Sequence, residues 1–386
     1  MTKVPFWKLK RELQRLNRQI IELPGLVWEY FDLRTSYDRD AEALRKTHEG
    51  DLMLGREVAV YLIFPSDGIL GSHLDALGMM VEEGISPVIV SNLPLSSQQL
   101  ETLAPMTARI IERPNIGYDF GGYRDGILAL ENALPEVERL YILNDSAWMV
   151  DAPKSWFADA RAKEVDFCGA TSNYGIKRHD AVNFRELRWQ YTAHHRNFHY
   201  ASYALAIGQN ILRDPEFLRF WRSFRLSNHK RRTVRRGEIG LTQWVMRHGF
   251  SHAATCSVME LDQEISALDN AELDDLARHL IIPDHPRVLK KCHEVLESDP
   301  NSPEGRQDRI QIILTAVSAQ AMGYVMPYYT LRHRGFQFVK KSPLWISPEG
   351  SKTTLDILSG LQGPMGQNAY AEAQSIVDKK AARSGS

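Results

Sequence analysis

The segment Asn115-Ile116-Gly117-Tyr118-Asp119-Phe120-Gly121-Gly122 places three glycines within six residues. Residues without a side chain let the backbone approach a ligand closely. A helix opening just after them adds unpaired N–H groups and a positive dipole end, a setting suited to a diphosphate. Asp119 does not suit phosphate. It suits a sugar hydroxyl, a ribose, or an orienting arginine such as Arg124. The spacing is not GxGxxG, so a dinucleotide fold has little support. The alternative is a tight strand-to-helix turn with no ligand.

Three further segments carry candidate chemistry. Tyr141-Ile142-Leu143-Asn144-Asp145-Ser146 ends an apolar run in one acidic and two small polar residues. A departing diphosphate needs charge neutralisation, commonly by Mg²⁺ or Mn²⁺ held through one or two carboxylates, and Asp145 can supply one. Its alternative is an N-cap. Glu238 follows Gly237 and opens an apolar-periodic helix. It is a candidate base for an acceptor hydroxyl, or a first-turn glutamate favoured by the helix dipole. Phe198-His199-Tyr200-Ala201-Ser202-Tyr203 suits carbohydrate stacking or an ordinary core, with His199 and Tyr203 as the candidate contacts. No HExxH, GxSxG or GxxxxGK[ST] pattern occurs.

The elements that must position these residues alternate in type. Val58–Phe64 reads as a buried parallel strand. A helix over 70–83, a strand over 87–90, a short helix over 96–103 and a strand over 108–112 follow. The glycine segment comes next as a turn, then a helix over 123–134 and a strand over 140–143. This order predicts a parallel sheet with right-handed crossovers, whose ligands lie beyond the strands' carboxyl ends. A further strand is expected at 167–170. Residues 183–236 are less regular and include the basic run Arg231–Arg236, read as a solvated loop or one that folds over a diphosphate. Three units are expected: an N-terminal segment to residue 50, an α/β body over 51–265, and a mainly helical region over 266–386.

Composition narrows the classes. The chain has 386 residues, 43% apolar and 25% charged, with a formal net charge of -1. This balance gives no bulk attraction for nucleic acid. Cys168, Cys256 and Cys292 are too scattered for a zinc site and read as buried thiols of a reducing compartment. No secretory signal and no membrane-spanning run is read. Leu9, Leu13, Leu16 and Ile20 recur at helical spacing behind Phe6 and Trp7, with Lys8, Lys10, Arg11, Arg15 and Arg18 opposite. That pattern is an amphipathic helix, either packed on the body or lying at a membrane surface.

Taken in order, Asn115–Gly122, Leu143–Ser146, His199–Tyr203, Glu238–Leu241 and Gly335-Phe336-Gln337-Phe338-Val339-Lys340-Lys341 resemble the rhamnan synthesis F family of bacterial polysaccharide glycosyltransferases. The resemblance implies a GT-A-like, Rossmann-like fold and transfer of a sugar, often L-rhamnose from dTDP-rhamnose, onto a growing or lipid-linked glycan. It places Asn115 and Gly117 in an Asn-x-Gly donor segment, with Asp119, Gly121, Gly122, Arg124 and Asn144 also on the donor. Ser91 and Asn92 fall where such folds meet the nucleobase and ribose. Asn144-Asp145-Ser146 stands in the place of a DxD metal motif without being one, and Glu238 stands in the place of the base. The implied location is cytoplasmic, peripheral at the inner face of the plasma membrane. A sugar nucleotidyltransferase and a non-catalytic scaffold of a polysaccharide assembly remain as rivals. The first lacks the basic glycine-rich loop it needs, since Phe64-Pro65-Ser66-Asp67-Gly68 has no lysine or arginine.

Overall fold

The computed structural model describes residues 33–384 and is mixed α/β. One eight-stranded sheet runs in the order β1-β4-β3-β2-β5-β10-β7-β11. Its strands are β1 (Lys46–Glu49), β2 (Glu57–Ile63), β3 (Ser86–Ser91), β4 (Arg109–Glu112), β5 (Arg139–Asn144), β7 (Phe167–Gly169), β10 (Ala204–Gly208) and β11 (His252–Ala254); β6 (Ala147–Met149) with β12 (Phe338–Lys340), and β8 (Ser172–Asn173) with β9 (His199–Tyr200), form two small separate pairs. Strands β4, β3, β2 and β5 are parallel. The strand β10 is antiparallel to both its neighbours, and β1 closes one edge antiparallel to β4.

Helices cover both faces, and the strands alternate between two cores as their period of two requires. Ala59, Tyr61, Ile63, Ile89, Tyr141 and Leu143 face one core, which the Gly71–Glu82 helix and the C-terminal helices complete. Val58, Val60, Leu62, Val88, Val90 and Ile142 face the other, against Phe120, Tyr123, Ile127 and Trp221. The helices of Leu261–Ala267, Asn270–Arg278, Pro286–Leu296 and Pro303–Ala319 contribute to the first core directly.

The glycine segment departs from the expected turn. The helix begins at Tyr118, not near residue 123, and runs to Ala129. Gly117, with φ 79°, and Tyr118, with φ 50°, make the turn, and the Gly117 N–H donates to Asn228 Oδ1 at 3.0 Å. Gly121 and Gly122 lie inside the helix. A Cβ on Gly122 would stand 2.4 Å from Leu62, and one on Gly126 2.6 Å from Val60. These glycines let the helix sit flush on β2, because a side chain there would push the two backbones apart.

Two antiparallel pairings bring distant residues to the carboxyl ends of β2 and β5. Ala204 of β10 pairs with Leu143 of β5, so Ser202 and Tyr203 arrive beside Asn144. The short β12 (Phe338–Lys340) pairs with β6 (Ala147–Met149), Lys340 opposite Ala147. The basic run is not a loop: Lys230–Val234 is helical and leads into a π-helical turn, Arg235–Ile239. The three cysteines are buried and free. Among the described residues no helix is long and apolar enough to cross a membrane. The amphipathic pattern at residues 6–20 lies outside the described residues.

Candidate active site

Glu238 sits in the π-helical turn. Gly237, just before it, is buried, and a Cβ there would meet the Phe120 ring at 2.3 Å. The turn thus rests directly on the Tyr118–Ala129 helix. One Glu238 oxygen accepts from Ser202 Oγ at 2.7 Å, and the other faces His199 Nε2 at 3.4 Å. His199 donates from Nδ1 to the Asn197 carbonyl at 2.7 Å, so in the neutral ring Nε2 carries the lone pair. Asn173 Nδ2 also reaches Nε2, at 3.2 Å. A carboxylate fixed at one oxygen with the other toward an imidazole is a positioned proton acceptor.

Asn144, at the end of β5, is the hub of the site. Its Nδ2 donates to Tyr123 Oη at 2.7 Å and to Asp119 Oδ2 at 3.2 Å. Its Oδ1 accepts from the Ser146 N–H at 3.1 Å and from Ser146 Oγ at 2.5 Å. All four hydrogen-bonding positions of the amide are filled by protein. Tyr123 passes its own proton to the Ser202 carbonyl at 2.8 Å. One continuous network therefore joins Asp119, Asn144, Ser146, Tyr123 and the Ser202 that holds Glu238.

Asp119 is half-buried in the first turn of its helix. Burial, then the nearby charges of Asp145 and Glu238, push its carboxyl up to about 6, with Lys340 and Lys230 opposing. A raised carboxyl binds more protons folded than unfolded, so its stability penalty grows as pH rises from its ordinary value toward 6. Asp119→Asn removes that penalty. Its stabilisation relative to wild type should be about 1.5 kcal/mol larger at pH 8 than at pH 5. Urea unfolding at the two pH values measures it, and an equal difference at both would contradict this environment for Asp119.

Asp145 is tied down from two sides. Its Oδ2 accepts from the Phe64 N–H at 2.8 Å and faces His73 Nε2 at 3.3 Å. The Leu70 N–H donates to His73 Nδ1 at 3.1 Å, which leaves the neutral ring's proton on Nε2, toward Asp145. Burial raises the Asp145 carboxyl, but the His73 contact, Lys341 and the Phe64 N–H outweigh it and hold the group below its ordinary value. Lys340 is also drawn in. Its ammonium donates to Ser146 Oγ at 2.9 Å and lies 4.3 Å from the Tyr203 ring centroid. Tyr203 packs on Phe338 and its hydroxyl pairs with Thr171 Oγ1 at 3.1 Å.

The site so assembled holds Asp119, Asn144, Asp145, His199, Tyr203 and Glu238 of the residues expected from sequence. Others stand apart. Arg124 is buried on the far side, donating to the Trp221 carbonyl at 2.9 Å and pairing with Asp38 at 2.8 Å. Asn92 accepts from Arg113 Nη1, and Ser91 turns back to the Leu93 carbonyl. Asn115 is exposed ahead of the helix, and Gly117, Gly121 and Gly122 serve the turn and the packing just described. His73, Tyr123, Ser202 and Lys340 escaped sequence reasoning. Two left a signal: Ser202 inside the His199–Tyr203 stretch, and Lys340 as the first of the two lysines that close the Gly335–Lys341 stretch.

The chain matches the family model described as rhamnan synthesis protein F over residues 87–293, more than half its length. The chain belongs to the rhamnan synthesis protein F family. The matched residues include Asp119, Asn144, Asp145, His199 and Glu238; Lys340 lies beyond them. An uncharacterized protein, y4gN of Sinorhizobium fredii (strain NBRC 101917 / NGR234), is 34% identical over 244 residues. That alignment covers 63% of this chain and 59% of the relative, so it spans under two thirds of that protein.

Proposed function

We propose that this protein is a GT-A-like glycosyltransferase that moves a sugar, L-rhamnose or another hexose, from a nucleoside-diphosphate donor to a growing polysaccharide or lipid-linked glycan, with inversion. The observation that carries this reading is Glu238. It is a carboxylate held by Ser202, with its other oxygen 3.4 Å from His199 Nε2, at the carboxyl ends of β2 and β5, the end at which open α/β sheets bind ligands. Family membership supports a role in polysaccharide synthesis.

In the reaction, Glu238 takes the acceptor hydroxyl's proton while that oxygen forms a bond to the anomeric carbon. The bond from that carbon to the diphosphate oxygen breaks, and its electron pair leaves with the nucleoside diphosphate. The products are a glycoside, the diphosphate and one proton. His199 and Tyr203 border the acceptor side. Asp119 suits a donor sugar hydroxyl, held in place by Asn144. The protein would act at the inner face of the plasma membrane on a glycan acceptor.

Calorimetric titration of the protein with dTDP-rhamnose, UDP-glucose and GDP-mannose tests this reading. Binding of one donor, followed by transfer of its labelled sugar to a glycan extract, is the expected result. Absence of binding to every nucleotide sugar would leave the scaffold reading standing and sink this one.

A further inference from the structure

The expected divalent cation has a poor home among these residues. Asp145 spends one oxygen on the Phe64 N–H and His73. Asn144 has no free valence, and one Asp119 oxygen is already taken by Asn144 Nδ2. Among the described residues no group of three or more His, Cys, Asp or Glu is arranged to hold a metal. A positive charge is already built in. Lys340 reaches this place through the β6–β12 pairing, which sets it opposite Ala147, one residue beyond Ser146.

The ammonium is held, not loose. Ser146 gives its own proton to Asn144 Oδ1, so its oxygen is free to accept from Lys340 Nζ. The Tyr203 ring lies beneath the charge, a cation–π contact. An ammonium carries three N–H donors, and the Ser146 bond uses one. The carboxylates of Glu238, Asp119 and Asp145 act on it favourably and Lys230 opposes, while burial dominates and brings the group down to about 8. A cation that has lost water without being paired one-to-one gains most from an incoming dianion.

Resting on the glycosyltransferase reading above, we infer that Lys340 is the cation that receives the donor's diphosphate: its ammonium, set on Ser146 and the Tyr203 ring, stabilises the leaving nucleoside diphosphate, and transfer needs no divalent metal. As the anomeric carbon–oxygen bond breaks, the electron pair moves onto the diphosphate oxygen. The two remaining N–H groups of Lys340 are the donors that meet the developing charge, as preorganised cations do at other transferring phosphates. A point charge on a flexible stem suits this role, and no proton is exchanged with the substrate.

The test is calorimetry on the full chain with dTDP, UDP and GDP, each in excess chelator and again in Mg²⁺ or Mn²⁺. Lys340→Met and Lys340→Arg are measured beside wild type. The expected result is metal-independent binding by wild type, within about threefold across conditions. Lys340→Met should weaken the diphosphate about 10- to 100-fold. It should leave the bare nucleoside's affinity within about twofold, and Lys340→Arg should recover most of the loss. Binding that appears only with metal, or that is unchanged in Lys340→Met, overturns the inference. If the Met variant does not fold, the chelator comparison and the Arg variant still decide. Failure of every nucleotide sugar and diphosphate to bind in any condition refutes the glycosyltransferase reading itself, a distinct outcome.

Discussion

Glu238→Gln should lower the rate of sugar transfer about 10²- to 10⁴-fold while leaving donor affinity within about twofold of wild type. The amide keeps the size of the carboxylate, and its oxygen can still accept from Ser202 Oγ, which stands 2.7 Å away. What it loses is the ability to take a proton. General-base assistance acts only as the acceptor oxygen attacks, so its removal falls on the transition state and not on the ground state. Stopped assays with labelled donor give the rate and calorimetry gives the affinity. The two must separate. A variant that turns over like wild type would show that Glu238 merely buttresses His199, and a variant that loses donor binding as well would place Glu238 on the donor. Asp119 is the other carboxylate within this network, and it is less suited to the role because Asn144 already holds it.

The parallel half of the sheet was legible from the sequence because each strand is buried on both faces. Val58–Ile63 has no polar interruption, and in the structure every one of those side chains lies in one of the two cores. The antiparallel β10 was not legible. Ala204–Gly208 holds two alanines and a glycine, residues of low strand propensity, and only its place between β5 and β7 makes it a strand. The start of the glycine helix was misplaced for a related reason. Glycine inside a helix is unfavourable on propensity alone, but here the close approach to Leu62 and Val60 overrides it.

The same contrast divides the site. Glu238, Asp119 and Asn144 stand at the ends of elements, where local pattern marks them. Lys340 reaches Ser146 across 194 residues of sequence and His73 reaches Asp145 across 72. No local period encodes such meetings; they exist because β12 pairs with β6 and because the Gly71–Glu82 helix packs beneath β2. Arg124 shows the reverse error. Its position beside the glycines suggested a ligand, yet it faces away from the site because a helical side chain's direction is set by the 3.6-residue period and not by its neighbours in sequence.

Asp125→Ala should destabilise the protein by about 3–5 kcal/mol, more than any single substitution among its partners. Asp125 is fully buried on the same helix as Asp119 and pairs with Arg113 at 2.6 Å, itself fully buried. Arg45 and Arg124 approach the other carboxylate oxygen at 3.5 and 3.8 Å, and the Tyr37 hydroxyl donates to Asp125. One anion thus serves three cations. Burial, then the Asp125 charge, pushes the Tyr37 hydroxyl up to about 12, so it stays a donor throughout the neutral range. Removing the carboxylate strands Arg113 in the interior without an anion. Arg113→Met, by contrast, leaves Asp125 with Arg45, Arg124 and Tyr37, and should cost less. The loss also reaches the site. Arg113 holds Asn92 Oδ1 and the Ile116 carbonyl, both at 2.5 Å, and so fixes the turn that aims Asp119. Urea midpoints of the two variants should therefore fall in the order wild type, Arg113→Met, Asp125→Ala, at an unchanged slope. The opposite order would mean that Arg113, through Asn92 and Ile116, holds this corner of the sheet more firmly than the charge balance around Asp125 does.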